Sequence, residues 1–370
     1  MTNKLQKHFP LIRTKESILH DIQENLQLSA IFHTWNTRQQ QEFLDFCSGV
    51  KGAKLLYDGF FKEILNPEYT PERVSDFLSI LLNKKVSIIA VLPGDSTRIA
   101  DESSLLIMDI VVQLEDQTIA NIEVQKIGYM FPGERSACYS SDLLLRQYKR
   151  VRDKQKQKFS YQDIKTVYTI VLFEKSPNEF HNFPNTYVHK FQQISDTGLE
   201  LELLQKYIFI SLDIFLKNKH TINNKLDGWL TLFASDDPDR IVELITKYPE
   251  FKCIYEKVYE MCMNMEDIMG LFSKELQELD RNTVQYMIDE QQEVINQQKK
   301  TIIENERILA EQAVSITEKD KSLAERDKSL AEKDKSLAEK DKSLAEKDKS
   351  LAEKDKEIEQ LKQLLASKAN

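Results

Sequence analysis

The sequence predicts an α/β protein: a mixed-sheet core in the order helix, three strands, helix, strand (αβββαβ), then a helical subdomain and one long C-terminal helix. Three observations carry this. Two apolar runs, SLLIMDIVVQL and IANIEVQ, flank a short polar break between Ser104 and Gln125. A third, TVYTIVLF from Thr166 to Phe173, follows the helical stretch ERSACYSSDLLLRQY. From about Leu271 onward there is no glycine or proline, and Ile or Leu recurs every seventh residue from Ile288 to Leu365. Short apolar runs bounded by turn residues read as strands, and sustained heptads read as helix.

Residues 1–50 form a polar leader followed by helices, with Phe43, Leu44, Phe46 and Cys47 as a packing face. LLYDGFFKEIL opens the core segment, 51–215, as a helix with Leu55, Leu56, Phe60, Ile64 and Leu65 on its apolar side. Asp58 and Lys62 are four apart and share one helical face. Asn66-Pro67 stops that helix, because proline moves the preceding residue away from α geometry. Thr70-Pro71 starts the next as an N-cap with proline at the first position. Val74, Phe77, Leu78, Leu81 and Leu82 then keep helical spacing. VSIIAVL is the first strand, stopped at Pro93-Gly94, and further strands are expected over 187–193 and 207–215. Residues 216–270 read as a helical subdomain around Trp229, Phe233, Ile241, Leu244, Ile245, Tyr255 and Val258.

The last segment, 271–370, contains a near-perfect tandem of EKDKSLA. A stable coiled coil fills two apolar positions per heptad. Here the second position carries Gln291, Gln298, Asn305, Gln312, Lys319 and Arg326. The segment is therefore a weak coiled coil or a charged single helix. Repeat expansion of a spacer and homo-oligomerisation through this helix both stand as readings.

Over 370 residues the formal net charge is -9, which gives no global signature of nucleic-acid binding, so any such contact has to come from a local basic patch. That patch is at hand: Arg146, Lys149, Arg150, Arg152, Lys154, Lys156 and Lys158 stand against the single acid Asp153. It suits phosphate contacts, although cations are also favourable at any helix C-terminus. Nine glycines form no phosphate-binding loop, and six histidines form no HExxH pair. The four cysteines, far apart, read as reduced and mostly buried thiols. No secretory segment or membrane-spanning run is present, so a soluble, cytoplasmic protein is expected.

The chemistry lies in two acids. Asp109 sits in the first long apolar run, with Leu105, Ile107 and Val111 on its face, and Glu123 shares a face with Asn121 and Gln125. A carboxylate in such a place is costly unless it is paired or binds a cation. Parity decides whether the two meet. A hairpin loop of even length puts them on opposite faces, whereas an odd register around 115–118 brings Asp109 opposite Glu123 or Gln125. The odd register is expected. Converging carboxylates suit Mg²⁺, as one ion or two, with Asp58 as a third acid reaching in from the first core helix. The alternative is a pair of acids held by Lys or Arg.

The succession LYDGFFKEIL, ADESSLLIMDIVVQLEDQTIANIEVQ, ERSACYSSDLLLRQY and YQDIKTVYTIVLF, over about Leu55 to Phe173, resembles the PD-(D/E)XK nuclease superfamily. It is most similar to the transposase-like, recombination-promoting branch. The resemblance implies a restriction-endonuclease-like core and Mg²⁺-dependent DNA endonuclease activity. It also implies Asp109 and Glu123 as metal ligands, with the Val124 carbonyl beside them. Gln125 falls where the superfamily has its catalytic lysine, a departure that the branch shares. Lys62 is the expected substitute, since Lys126 should point to the other face. Arg135, Tyr139 and Gln147 match recurring positions expected to orient the site or touch DNA; Lys149, Arg150, Arg152 and Lys154 of the basic stretch are the other expected DNA contacts. The alternative function is an inactive nuclease-fold module that binds DNA or protein and oligomerises through its tail.

Overall fold

The computed structural model describes residues 3–94, 108–127, 131–218 and 221–368. Leu105 and Ile107 lie outside the described residues. Two compact units are present, Met1–Glu290 and Gln291–Asn370. The first reaches well past the sequence boundary at 270.

Three helices open the chain, α1 (Lys15–Glu24), α2 (Leu26–Thr34) and α3 (Thr37–Cys47). Each begins on a side-chain cap, from Thr14, Asn25 and Asn36 respectively. The leader before them is less polar in effect than it reads: Leu5 and Phe9 are fully buried, Phe9 against Tyr255 and Tyr259. Helix α4 (Asp58–Ile64) is shorter than expected, with Leu55 and Leu56 buried ahead of it in the approach. Helix α5 (Pro71–Leu82) has Pro71 in its first turn. Thr70 stands at its N-cap, but its hydroxyl donates back to the Asn66 carbonyl instead of capping α5.

The core order is the expected one: strands β1 (Ile88–Leu92), β2 (Ile110–Leu114) and β3 (Ile119–Gln125), helix α6 (Pro132–Gln155), strand β4 (Val167–Phe173). After the short helix α7 (Asn178–His181) come β5 (Val188–Phe191) and β6 (Gln205–Ser211). The run expected as strand to Phe215 changes at Ser211 into helix α8 (Leu212–Lys217). YIFISLDIF is apolar throughout, and periodicity cannot place a strand–helix switch inside such a run. The six-stranded sheet has the order β1-β2-β3-β4-β6-β5. Strands β3, β4 and β6 are parallel and the flanking pairs antiparallel, so the sheet is mixed, as read.

One sheet face, with Ile110, Val112, Ala120, Ile122, Ile170, Leu172, Ile208 and Ile210, joins the main core. That core also takes in the N-terminal helices, α9 (Lys225–Ala234), α10 (Pro238–Lys247), α11 (Lys252–Met261) and the start of α12 (Met265–Lys368). The N-terminal extension and the 216–270 helices thus share one core with the sheet. The other face packs Val111, Ile119 and Val167 against Tyr139 and Leu143 of α6. Cys47 and Cys262 are buried, but Cys138 and Cys253 are exposed, so only half of the thiols match the expectation. In the second unit, the heptad residues from Ile295 to Ile358 are all exposed along their helix.

Candidate active site

The β2–β3 hairpin sets the geometry. Ile110 pairs with Ile122 and Val111 with Asn121. Three residues, Glu115 to Gln117, close the loop between Leu114 and Thr118, whose carbonyl accepts the Leu114 N–H at 2.9 Å. Gln117 takes the left-handed conformation at φ 69°, as three-residue hairpin loops require. This is the odd register. Continued one step, it puts Asp109, in the bend before β2, opposite Glu123. Both share parity with Val111 and Ile119, so they face α6.

Asp109 reaches across to β3, where its Oδ2 accepts the Val124 N–H at 2.8 Å. Glu123, 5% exposed, accepts from Asn121 Nδ2 at 2.9 Å. Burial pushes the Glu123 carboxyl up to about 8, and the charge of Asp109 adds to it, against the Asn121 hydrogen bond and Arg135. Burial also raises Asp109, opposed by the Val124 N–H and Lys62 and reinforced by Asp58. The charge of Asp109 disfavours ionisation of the buried Glu123, and two neighbouring carboxylates call for compensating positive charge, which a divalent ion can supply.

Lys62, on α4, supplies part of the compensation. Its Nζ lies 2.7 Å from Asp58 Oδ1 and 3.6 Å from Asp109 Oδ1. Burial works against this ammonium, but Asp58 and Asp109 outweigh it and hold it above its usual range. Asp58, the third acid expected at the site, lies against Lys62. Among the described residues no group of three or more His, Cys, Asp or Glu is arranged to hold a metal ion. The Asp58 carboxylate holds Lys62, an opposite charge one helical turn away.

Gln125 is buried, and its Oε1 has no hydrogen-bond partner among the described residues. Lys126 turns to another task, a buried ion pair with Glu275 of α12. That partner was invisible to sequence reasoning, because Glu275 lies 149 residues away along the chain.

Helix α6 closes the site. Arg135, in its first turns, donates to the Tyr139 hydroxyl at 3.0 Å and faces the Glu123 charge. Farther along, Lys149, Arg150, Arg152 and Lys154 are exposed, as nucleic-acid contact requires. A groove of about 600 Å³ is lined by Arg146, Lys149, Arg150 and Lys154 with Leu92 and Pro93. Arg146 also contacts Sδ of Met108, the residue before Asp109. Gln147 does not fit the DNA-contact expectation. It is 2% exposed, and its Oε1 accepts the Lys165 N–H at 2.5 Å, fixing the entry to β4.

A hairpin with two facing acids, on a mixed sheet backed by a basic helix, defines a nuclease-type core. The chain belongs to the PD-(D/E)XK nuclease family transposases, whose family model matches residues 55–295. No curated protein and no solved structure matches it. Membership implies a nuclease or transposase-like function with DNA as substrate, in a family that typically uses a divalent metal. No helix among the described residues is long and apolar enough to cross a membrane.

Proposed function

We propose that this protein is a Mg²⁺-dependent DNA endonuclease of transposase or recombination-promoting type. The observation that carries the reading is the convergence of Asp109 and Glu123, both raised, with Lys62 alongside. Asp109, Glu123 and the Val124 carbonyl would hold one or two ions. When bound, the metal would polarise the phosphodiester and favour attack by water. Lys62 offers a positive charge to the scissile phosphate in place of a lysine at 125, and Asp58 holds it in position. Gln125 brings its buried amide to the site as a neutral polar group. Arg135 and the Lys149–Lys154 stretch anchor the DNA backbone, which makes affinity salt-sensitive and largely independent of sequence.

A second reading rests on Gln125 and on the exposed heptad row: an inactive nuclease-fold module that binds DNA and self-associates through its tail. Incubation with supercoiled plasmid separates the two. Nicking with Mg²⁺, absent in EDTA and lost in Asp109→Ala, supports the enzyme. DNA binding without cleavage in any divalent metal supports the module.

A further inference from the structure

Glu275 lies about three turns into α12, is 5% exposed, and uses both carboxylate oxygens. Oε1 pairs with the ammonium of Lys126, itself 8% exposed, and Oε2 accepts the Asp58 backbone N–H at 3.1 Å. A buried pair is tolerated only when its remaining bonding capacity is met, and here α4 meets it. Tyr57, the N-cap residue of α4, makes no side-chain cap bond. Glu275 therefore satisfies a backbone donor that the local sequence leaves open. The Lys126 ammonium also stands 5.6 Å above the Tyr57 ring.

These bonds join three elements that meet at the acids. Lys126 directly follows β3, which carries Glu123. Asp58 begins α4, which carries Lys62. A seven-residue helix has little stability of its own, so tertiary ties decide where it sits. Gly59 shows how close the tie is, because a Cβ there would overlap the Leu271 side chain of α12. Glu278, one turn beyond Glu275, adds its charge to the surroundings of Lys62.

We propose that Glu275 is a positioning residue: through Lys126 and the Asp58 amide it fixes α4, and with it Lys62, against the strand that bears Glu123. The proposal rests on reading the two acids as a nuclease centre.

The test compares full-length parent, Glu275→Gln and the apolar double variant Lys126→Met with Glu275→Leu. The double variant guards against misfolding, since a well-packed apolar pair commonly replaces a buried ion pair without loss of stability. In metal-free protein, hydrogen exchange of the α4 amides should rise about tenfold in both variants, as expected for losing a charge-assisted hydrogen bond, while the β4 amides stay at parent rates. Affinity for Mg²⁺ by calorimetry should fall on the order of tenfold, the scale for losing support behind metal ligands. Excess Mg²⁺ should then restore nicking. Unchanged α4 exchange and metal affinity in both variants overturns the proposal, as does equal acceleration of α4 and β4. A parent that neither binds divalent metal nor nicks DNA defeats the nuclease reading instead, and the exchange comparison still decides whether Glu275 fixes α4.

Discussion

The backbone N–H of Val124 donates to Oδ2 of Asp109 at 2.8 Å, so the first acid is tied to the strand that carries the second. The charge of Asp109 then helps to raise the Glu123 carboxyl. Removing one should change the other. In Asp109→Ala, plasmid nicking is expected to fall at least about a hundredfold, the scale for deleting one preorganised charged contact. In the same variant the Glu123 carboxyl should titrate below about 8, because one of the two causes of its shift is gone. Carbon-detected NMR of labelled glutamate in metal-free protein reads this directly. An unmoved Glu123 would mean that burial alone sets its value.

Stability should respond to pH through Glu123. Its folded value is raised to about 8 by burial and by Asp109, whereas an unfolded glutamate titrates near 4.3. Between those values the folded state holds more protons than the unfolded one, so stability falls as pH rises. The contribution is full below the unfolded value and is lost as pH climbs through the folded one. Glu123→Gln removes the effect. Its Tm in EDTA should therefore exceed that of the parent by a margin that grows from pH 5 to 8 and then levels. The margin corresponds to a few kcal/mol, at about 1.4 kcal/mol per pH unit. Added Mg²⁺ should close the gap by stabilising the parent alone.

On the proposed reading, Lys62 on α4 stands in for the lysine whose place Gln125 takes on β3. Lys62→Ala is expected to reduce nicking by about 10²-fold or more, with Lys62→Arg keeping part of the activity. Gln125→Ala should have a smaller effect on rate. It should also change stability little, since its buried Oε1 has no partner to lose among the described residues. If both alanine variants cleave plasmid like the parent, neither residue serves the chemistry.

The basic groove and Gln147 should separate cleanly. Replacing Lys149, Arg150, Arg152 and Lys154 by alanine should weaken binding uniformly across DNA sequences. Each lost phosphate contact should flatten the slope of log K against log salt by about one. Gln147→Ala should leave that slope alone and lower Tm instead, because the Lys165 N–H loses its acceptor at a cost of about 1–3 kcal/mol. Fluorescence anisotropy at several salt concentrations, with a melting curve, decides both.

Much of this core was legible because strand parity is a strict rule. Asp109 and Glu123 could meet only through an odd hairpin register, and the three-residue loop at 115–117 supplies it. The i, i+4 pair of Asp58 and Lys62 was equally readable, and the two form an ion pair. Other features left no local trace. Leu5 and Phe9 are buried within a leader whose average is polar. Gln147 matches a recurring position of the family branch, but nothing in its spacing points to its partner, the Lys165 N–H. The start of α12 carries Ile268, Phe272 and Glu275 into the body of the protein, yet reads like the approach to the exposed repeats. Long-range partners of this kind are fixed by the assembled fold and not by spacing along the chain.

The separation between Glu275 and its partners, 217 residues from Asp58 and 149 from Lys126, acquires a meaning in time. A ribosome makes α4, both acids and the basic helix long before it reaches Glu275. On the proposed role of Glu275, a half-made or prematurely stopped chain holds every reactive group yet lacks the tie that sets Lys62 beside Asp109. Cutting power would then arrive only with the final third of translation, and truncated products would stay comparatively harmless to the DNA of the cell that makes them.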